Sequence, residues 1–239
     1  MIGTILNAAG IAAGGIAGLV WRRQPSASTQ LALKNLLGFL TAFAGLRLTW
    51  INLSGGLLPV LKQLAIAMLA MILGRIVGRL LHLQKGMNWL GRYAKDRFSR
   101  ASSAPGSRFS DGLVTCTVLL CAAPLALFGS IQDGLGGHWG ALGVKAVIDG
   151  LAIMAFVGTF GWSAVLAVVP VVAFQGTVTL AAGIAAPSLH ELGLVPSIHA
   201  VGGLLVFTVA LLVLELRRIE WADYLPSLLF APLLTWLWR

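Results

Sequence analysis

The amino-acid sequence predicts an all-α protein, a polytopic bundle of about seven to eight transmembrane helices in one integral membrane domain over residues 1–239. Of its 239 residues, 58% are hydrophobic and only 10% are charged, whereas a soluble domain carries roughly 25% charged residues. The mean hydropathy is +0.89. Charge this sparse cannot cover a water-facing surface, so lipid must face much of the protein, and no separate soluble domain is expected.

Eight apolar runs supply the predicted spans, since a spanning helix needs about 20 apolar residues. They cover approximately 2–20, 31–50, 56–82, 111–129, 141–158, 163–184, 198–216 and 223–238. The fifth run is the shortest and most polar, and it is compatible with a full span or a re-entrant segment. We divide the domain into a three-helix unit (1–82), a basic loop (83–110) and a five-segment part (111–239).

The net charge of +9 is interpreted as a topology signal rather than as a nucleic-acid site, because most basic residues lie near predicted membrane edges. With the N-terminus outside, thirteen of the 17 Lys and Arg residues fall on the inner side. Arg22 and Arg23 follow the first apolar run, which favours a retained helix over a signal peptide. The predicted location is a bacterial inner membrane with loop 83–110 in the cytoplasm.

The basic loop mixes aromatic with basic residues, in the stretch LQKGMNWLGRYAKDRFSR. This pattern is typical of a helix that lies on anionic lipid headgroups. We therefore expect membrane lipids as partners of 83–110 and no nucleic acid.

No pattern of catalytic, metal or cofactor chemistry is found in the sequence. Cys116 and Cys121 lie on different faces of one apolar segment, and the spacing of His138, His190 and His199 matches no compact metal motif. Nucleophile elbows, P-loops and dinucleotide fingerprints are absent from the sequence. We expect a protein that is not an enzyme, with no cofactor and no metal.

Glycines spaced by four residues form rows at Gly10, Gly14 and Gly18 and at Gly74 and Gly78. Such rows let helices approach closely, either within the bundle or between the protomers of a homodimer, and the sequence leaves both open.

A weak internal similarity predicts inverted repeats. Segment 35–50 resembles 200–218, each followed by a Leu-Pro pair, and 4–18 resembles 171–186, which places Asn7 near Gln175. On the predicted topology the two copies are inverted, as in many secondary transporters.

Polar residues inside the apolar segments are the candidate functional residues, since they are costly in lipid. Lys145 and Asp149 are four residues apart on one helical face. We expect Pro170 to open the helix beside Gln175, and Pro124 to do the same in the fourth apolar run. These groups are interpreted either as a hydrated binding site or as a structural ion pair with interhelical hydrogen bonds. The predicted ion-binding residues are Asn7, Ser130, Asp133, Lys145, Asp149 and Gln175.

Four segments resemble one known family: MIGTILNAAGIAAGGIAGL, GSIQDGL, KAVIDG and FQGTVTLAAG. They are similar to bacterial inner-membrane proteins of the YqgA/YdfK type, which are classed by a domain of unknown function. The resemblance implies seven or eight spans and a transporter without an established substrate, and its recurrent polar positions correspond to the six residues named above. The sequence departs from that pattern at Gln132, where an acidic residue is expected, and at Ala146, where serine is common.

The predicted function is a secondary transporter or channel-like protein for a small solute, in particular a cation. Asp133 and Asp149 would supply negative charge, and Lys145 would be a pairing partner or a charge switch. Asn7, Gln175 and Ser130 would be neutral ligands. The alternative is a non-transporting membrane scaffold or sensor that acts through the basic cytoplasmic loop.

Overall fold

The structure, a computed structural model, describes residues 1–21, 26–103 and 108–238, and within these ranges it contains helices and no strands. The all-α prediction is confirmed. Arg22 and Arg23 lie outside the described residues. The α-helices are α1 (Ile2–Val20), α2 (Ala27–Ile51), α3 (Leu57–Leu80), α4 (Leu83–Ser103), α5 (Arg108–Cys121), α6 (Pro124–Gly136), α7 (Gly140–Phe160), α8 (Val168–Glu191), α9 (Val195–Val213) and α10 (Ser227–Leu237).

Five helical stretches of the described chain are long and apolar enough to cross a membrane, and the bent pair α5–α6 makes a sixth. One of them, Gly140–Glu191, has 52 residues. At about 1.5 Å per residue it is more than twice the roughly 30 Å thickness of a bilayer core. A 3₁₀ segment, Gly161–Ala167, divides it into α7 and α8, so it is long enough for two crossings. If α7 and α8 each cross, the described chain has seven spans, the lower bound of the predicted seven to eight. Helix α10, with only 11 residues, is too short to add another.

Of the predicted helix interruptions, the one at Pro124 is confirmed, since α5 and α6 meet there at a 58° bend, and the others differ from expectation. The glycine-rich stretch forms a short turn, in which Gly137 has a φ of 67° and ends α6. The fifth apolar run is α7, a helix of 21 residues. The expectation that Pro170 opens the helix at Gln175 is wrong. Pro170 is the third residue of α8, where a missing N–H leaves no helical partner unpaired, and α8 continues through Gln175.

The glycine rows pack helices of this one chain against each other. A Cβ atom on Gly10 would lie 2.4 Å from the carbonyl oxygen of Ala146, and one on Gly14 only 2.0 Å from that of Gly150. The residue numbers of the contacting pairs increase in the same direction along α1 and α7, so the two helices run parallel. Their backbones are in contact. Gly74 and Gly78 lie in the same way against α10 and the turn before it. The rows therefore give no support for a homodimer.

Three further helix pairs are antiparallel. Gly38 contacts Leu214 and Gly45 contacts Phe207, so α2 and α9 run in opposite directions. The contacts of Gly74 with Ser227 and of Gly78 with the backbone of residue 223 give the same result for α3 and α10. Finally α1 crosses α8, since Thr4 meets Thr179 and Asn7 meets Gln175. Thus α1 packs against α8, α2 against α9, and α3 against α10.

Candidate functional site

A buried ion pair lies on α7. Lys145 and Asp149 are one helical turn apart, and the Nζ atom of Lys145 donates to Oδ2 of Asp149. The two residues are only 1% and 2% exposed. Removing two charges from water costs several kcal/mol per ion, which their attraction offsets only with good geometry and further hydrogen bonds. The predicted pairing is therefore present, and the surroundings of the pair decide what it can do.

The second acceptor for Lys145 comes from the bend between α5 and α6. The Nζ atom lies 3.0 Å from the carbonyl oxygen of Leu120. In a continuous helix that oxygen would accept from the N–H four residues later. That residue is Pro124, which has no N–H. Pro124 thus begins α6 after a 58° bend and leaves free the carbonyl that holds the ammonium.

Asn7 joins the ion pair to α8. Its Nδ2 atom donates to Oδ2 of Asp149 at 3.0 Å and to Oε1 of Gln175 at 3.1 Å. Asn7 and Gln175 are fully buried. A side chain as short as asparagine reaches α7 because Gly10 and Gly14, on the same face of α1, allow backbone contact. We call Asn7, Lys145, Asp149 and Gln175 the central polar cluster.

Two atoms of the central polar cluster have no hydrogen-bond partner, Oδ1 of Asn7 and Nε2 of Gln175. Turning the Asn7 amide over would point its oxygen at the Asp149 carboxylate, so its orientation is fixed by charge. An unpaired buried polar atom costs about 1–3 kcal/mol. Such atoms beside a carboxylate are where a bound ion or an ordered water would lie.

Asp133 lies one turn further toward the start of α1. Its Oδ2 atom accepts from the Gly3 N–H at 3.0 Å and lies 3.1 Å from the α-ammonium of Met1, while Oδ1 has no partner. The Thr4 and Thr179 hydroxyls, 3.2 Å apart, lie between Asp133 and Asn7 along α1. Gly3, which contacts Asp133, and Asn7 are four residues apart, and four residues of helix span about 6 Å. Polar groups therefore form a short row along α1 from Asp133 to the central polar cluster.

The structure does not bring all the predicted residues together. Ser130 is buried, but its hydroxyl donates to the carbonyl of Ala126 in its own helix at 2.6 Å. Gln132, on the same helix, points toward Gly202 of α9. Asp133 is near the cluster without contacting it.

Sequence reasoning missed two contributors, Thr4 and the Leu120 carbonyl. Each had a signal in the sequence. Thr4 is three residues from Asn7 and so shares its helical face. Leu120 is four residues before a proline, which marks a free carbonyl.

The residues of the central polar cluster are buried and lie apart from the three best-formed cavities. Three cavities in the described part of the chain have volumes of about 750, 230 and 170 Å³, and none of the three is lined by a residue of the cluster. The largest reaches Ile148 and Ala152 of α7, on the side that faces α2. The second contains Arg47 and His138, where burial and the nearby guanidinium lower the pKa of the histidine. The hydrated cavity predicted around the ion pair is not one of these three.

Comparison with known proteins places the chain in a family without assigned chemistry. Residues 2–236 match the family described as "Protein of unknown function (DUF554)". The chain is 26% identical over 232 residues to "Uncharacterized membrane protein YdfK" of Bacillus subtilis (strain 168), covering 97% of this chain and 94% of the relative. It is also 26% identical over 241 residues to "Uncharacterized protein YqgA" of Escherichia coli (strain K12), covering 100% and 97%. No solved structure matches. The chain belongs to the DUF554 family, a family of membrane proteins of unknown function.

Proposed function

We propose that the protein is a secondary transporter for a small cation and that the central polar cluster is its binding site. The observation that carries the proposal is the unpaired Oδ1 atom of Asn7, the residue whose Nδ2 atom donates to the buried Asp149 carboxylate. Amide and carboxylate oxygens are the ligands that hard cations prefer. A purely structural ion pair has no need of unpaired amide atoms, which reduce stability.

The helix pairing supports the same proposal. We infer that α1–α3 and α8–α10 are inverted repeats, because each pair of corresponding helices packs antiparallel. The segments that resemble each other in sequence place Asn7 and Gln175 at equivalent positions, and these residues contact each other where α1 crosses α8. Transporters with inverted repeats bind their substrates at the interface between the repeats.

We further propose that the basic face of the bundle is cytoplasmic, in a bacterial inner membrane. On this face, polar contacts connect α2, α3 and α4 to the segment between α9 and α10. Lys34 pairs with Glu215, Arg79 pairs with Glu220, and the Gln84 N–H donates to Asp223. The excess of Lys and Arg on this face supports the assignment.

Helix α4 is proposed to contact anionic lipid headgroups on that face. Ala94 and Phe98 pack inward against the bundle, whereas Lys85, Arg92 and Lys95 are exposed. Each basic residue near an anionic surface contributes roughly 1 kcal/mol. Replacing these three with Gln should weaken binding of phosphatidylglycerol to the detergent-solubilised protein at least about tenfold. Lys62→Gln, on the opposite face, is the control, and equal loss in both proteins would contradict the proposal.

Reconstitution tests the transport proposal. Vesicles that contain the protein should take up a labelled alkali cation faster than empty vesicles do. Gln175→Leu should reduce uptake roughly 10- to 100-fold, because a hydrogen bond or ligand at a charged site contributes about 1.5–3 kcal/mol. Thr177→Val is the matched control on α8, since the Thr177 side chain is exposed and bonds its own helix at Ala173.

The alternative function gives a different result in the same experiment. If the protein is a non-transporting scaffold or sensor, vesicles that hold it will be as impermeable to Li⁺, Na⁺, K⁺ and Rb⁺ as empty ones. That outcome would reject the transport proposal.

A further inference from the structure

The cavity of about 230 Å³ contains polar groups that the proposed cation site does not use. They include Arg47 of α2, Gln132 of α6 and His138, which lies in the turn between α6 and α7. None of the residues that line this cavity belongs to the central polar cluster. The cavity lies beside the end of α2, whereas α4 packs beyond the end of α3, at the opposite face of the bundle. It is therefore a separate candidate site.

Arg47 brings positive charge to the cavity without a counter-charge. Its side chain is exposed, and no acidic side chain in the described part of the chain forms an ion pair with it. No acidic residue lines the cavity. A guanidinium presents a planar fork of N–H donors that matches the two oxygens of a carboxylate. The charge of the cavity thus favours an anion.

Gln132 adds a buried amide to the same cavity. The residue is 3% exposed and lines the cavity, and its Nε2 atom has no hydrogen-bond partner. A Cβ atom on Gly202 of α9 would lie 2.9 Å from this nitrogen, so the amide occupies space that a larger residue would fill. An amide nitrogen offers two N–H donors, and a buried donor is destabilising unless something accepts from it. An anion in the cavity would be such an acceptor.

The start of α7 forms a further side of the cavity. Gly140 and Ala141, the first two residues of α7, line it. The first N–H groups of a helix have no carbonyl partner within that helix, and the positive end of the helix dipole attracts anions. His138, whose ring packs against that of His199 with centroids 4.6 Å apart, adds an imidazole to the lining. These groups supply hydrogen-bond donors and no negative charge.

We infer from this geometry that the cavity is a binding site for a small monocarboxylate, distinct from the proposed cation site and independent of it. The carboxylate group would bind the Arg47 guanidinium, the Gln132 amide and the N–H groups at the start of α7. The rest of the ligand would be a short hydrocarbon chain, because much of the remaining wall is apolar, formed by Leu48, Ile51 and Val206.

The size and lining of the cavity limit the class of ligand. At about 30 Å³ per water, 230 Å³ holds roughly seven or eight groups of that size, which corresponds to a carboxylate of about five carbons. A hydrated phosphate would place its water shell against apolar walls, which cannot form hydrogen bonds with it. A second carboxylate would lie against the same walls without a cation to pair with it. A monocarboxylate matches both the single guanidinium and the apolar walls.

Equilibrium dialysis of labelled butyrate against the full-length protein in detergent micelles tests the inference. The unmodified protein should bind butyrate above the level of empty micelles. Unlabelled pentanoate should displace it, whereas equal concentrations of phosphate, chloride or butylamine should not. Arg47→Gln and Gln132→Glu should each weaken binding about 10- to 100-fold, the first by removing the charge and the second by placing a carboxylate against the ligand.

Gly202→Ala is the most specific variant, because it changes no charge. The added methyl group displaces the Gln132 amide, which is the flexible end of a side chain, so the protein should stay folded while butyrate binding weakens about tenfold. Lys62→Gln is the matched control for Arg47→Gln. It removes an exposed cation near the start of α3, on the same face of the bundle but outside the cavity, and should leave butyrate binding unchanged.

Three results would overturn the inference: no butyrate binding by the unmodified protein, equal weakening in Arg47→Gln and Lys62→Gln, or undiminished binding by folded Gly202→Ala. Displacement of butyrate by equal phosphate or chloride would show a site for inorganic anions and would overturn the assignment to a monocarboxylate. Cation uptake is a separate measurement, so failure of butyrate binding leaves the proposed cation site standing, and absence of cation uptake leaves the monocarboxylate site standing.

Discussion

Asp149→Leu should lower the free energy of unfolding by about 3–5 kcal/mol, because it leaves the Lys145 ammonium buried without a counter-charge. The double replacement Lys145→Met/Asp149→Leu should recover most of that loss, since apolar groups of similar volume replace a buried pair at little net cost. Denaturation in mixed detergent micelles measures both values. The recovery matters because it yields a folded protein that has no charged pair.

The exposed ion pair between Arg79 and Glu220 is the matched control. Its side chains are about half exposed, and an exposed pair contributes less than about 1 kcal/mol. Glu220→Gln should therefore change stability far less than Asp149→Leu. If the two variants were equally stable, the Lys145–Asp149 pair would be hydrated in the native protein, contrary to its burial in the structure.

Gly14→Ala should destabilise the protein by about 3 kcal/mol, the upper end of the usual cost of overpacking. The added Cβ would lie 2.0 Å from the Gly150 carbonyl oxygen, and backbone cannot move aside as a flexible side chain can. The helices must separate, which also draws Asn7 away from Asp149. Unfolding in micelles measures the loss, and slower cation uptake should accompany it.

A second glycine on a neighbouring helix provides the control for Gly14→Ala. Gly176 of α8 is buried, yet the nearest atom to its added Cβ is the flexible end of Met1 at 3.8 Å. Gly176→Ala should leave stability unchanged or raise it by up to about 1 kcal/mol, since alanine favours helix. Equal stability of the two variants would mean that α1 and α7 are not in backbone contact.

The sequence allowed the fold class and the four residues of the central polar cluster to be predicted for identifiable reasons. Apolar runs and sparse charge are sufficient for a helical membrane bundle. Lys145 and Asp149 pair within one helix, so their spacing alone predicts the contact. Asn7 and Gln175 are far apart in sequence, and only the internal similarity between 4–18 and 171–186 placed them together.

The remaining features depend on tertiary packing. The hydroxyl of a buried serine forms a hydrogen bond within its own helix or with a neighbouring helix, depending on its rotamer. The role of Ser130 could therefore not be predicted from the sequence. Glycine rows have the same spacing inside a chain and between chains, and only the contacts of Gly10 and Gly14 show which applies. Pro170 failed as a helix opener because the start of α8, which decides the effect of a proline, was predicted several residues too early.

The most direct measurement is the rate of alkali-cation uptake by vesicles that hold Lys145→Met/Asp149→Leu, compared with the unmodified protein at equal amounts of folded material. If a cation crosses the membrane through the central polar cluster, the double variant should fold and melt normally yet transport no faster than empty vesicles. Uptake at the unmodified rate would contradict that role and leave the buried pair as a structural element.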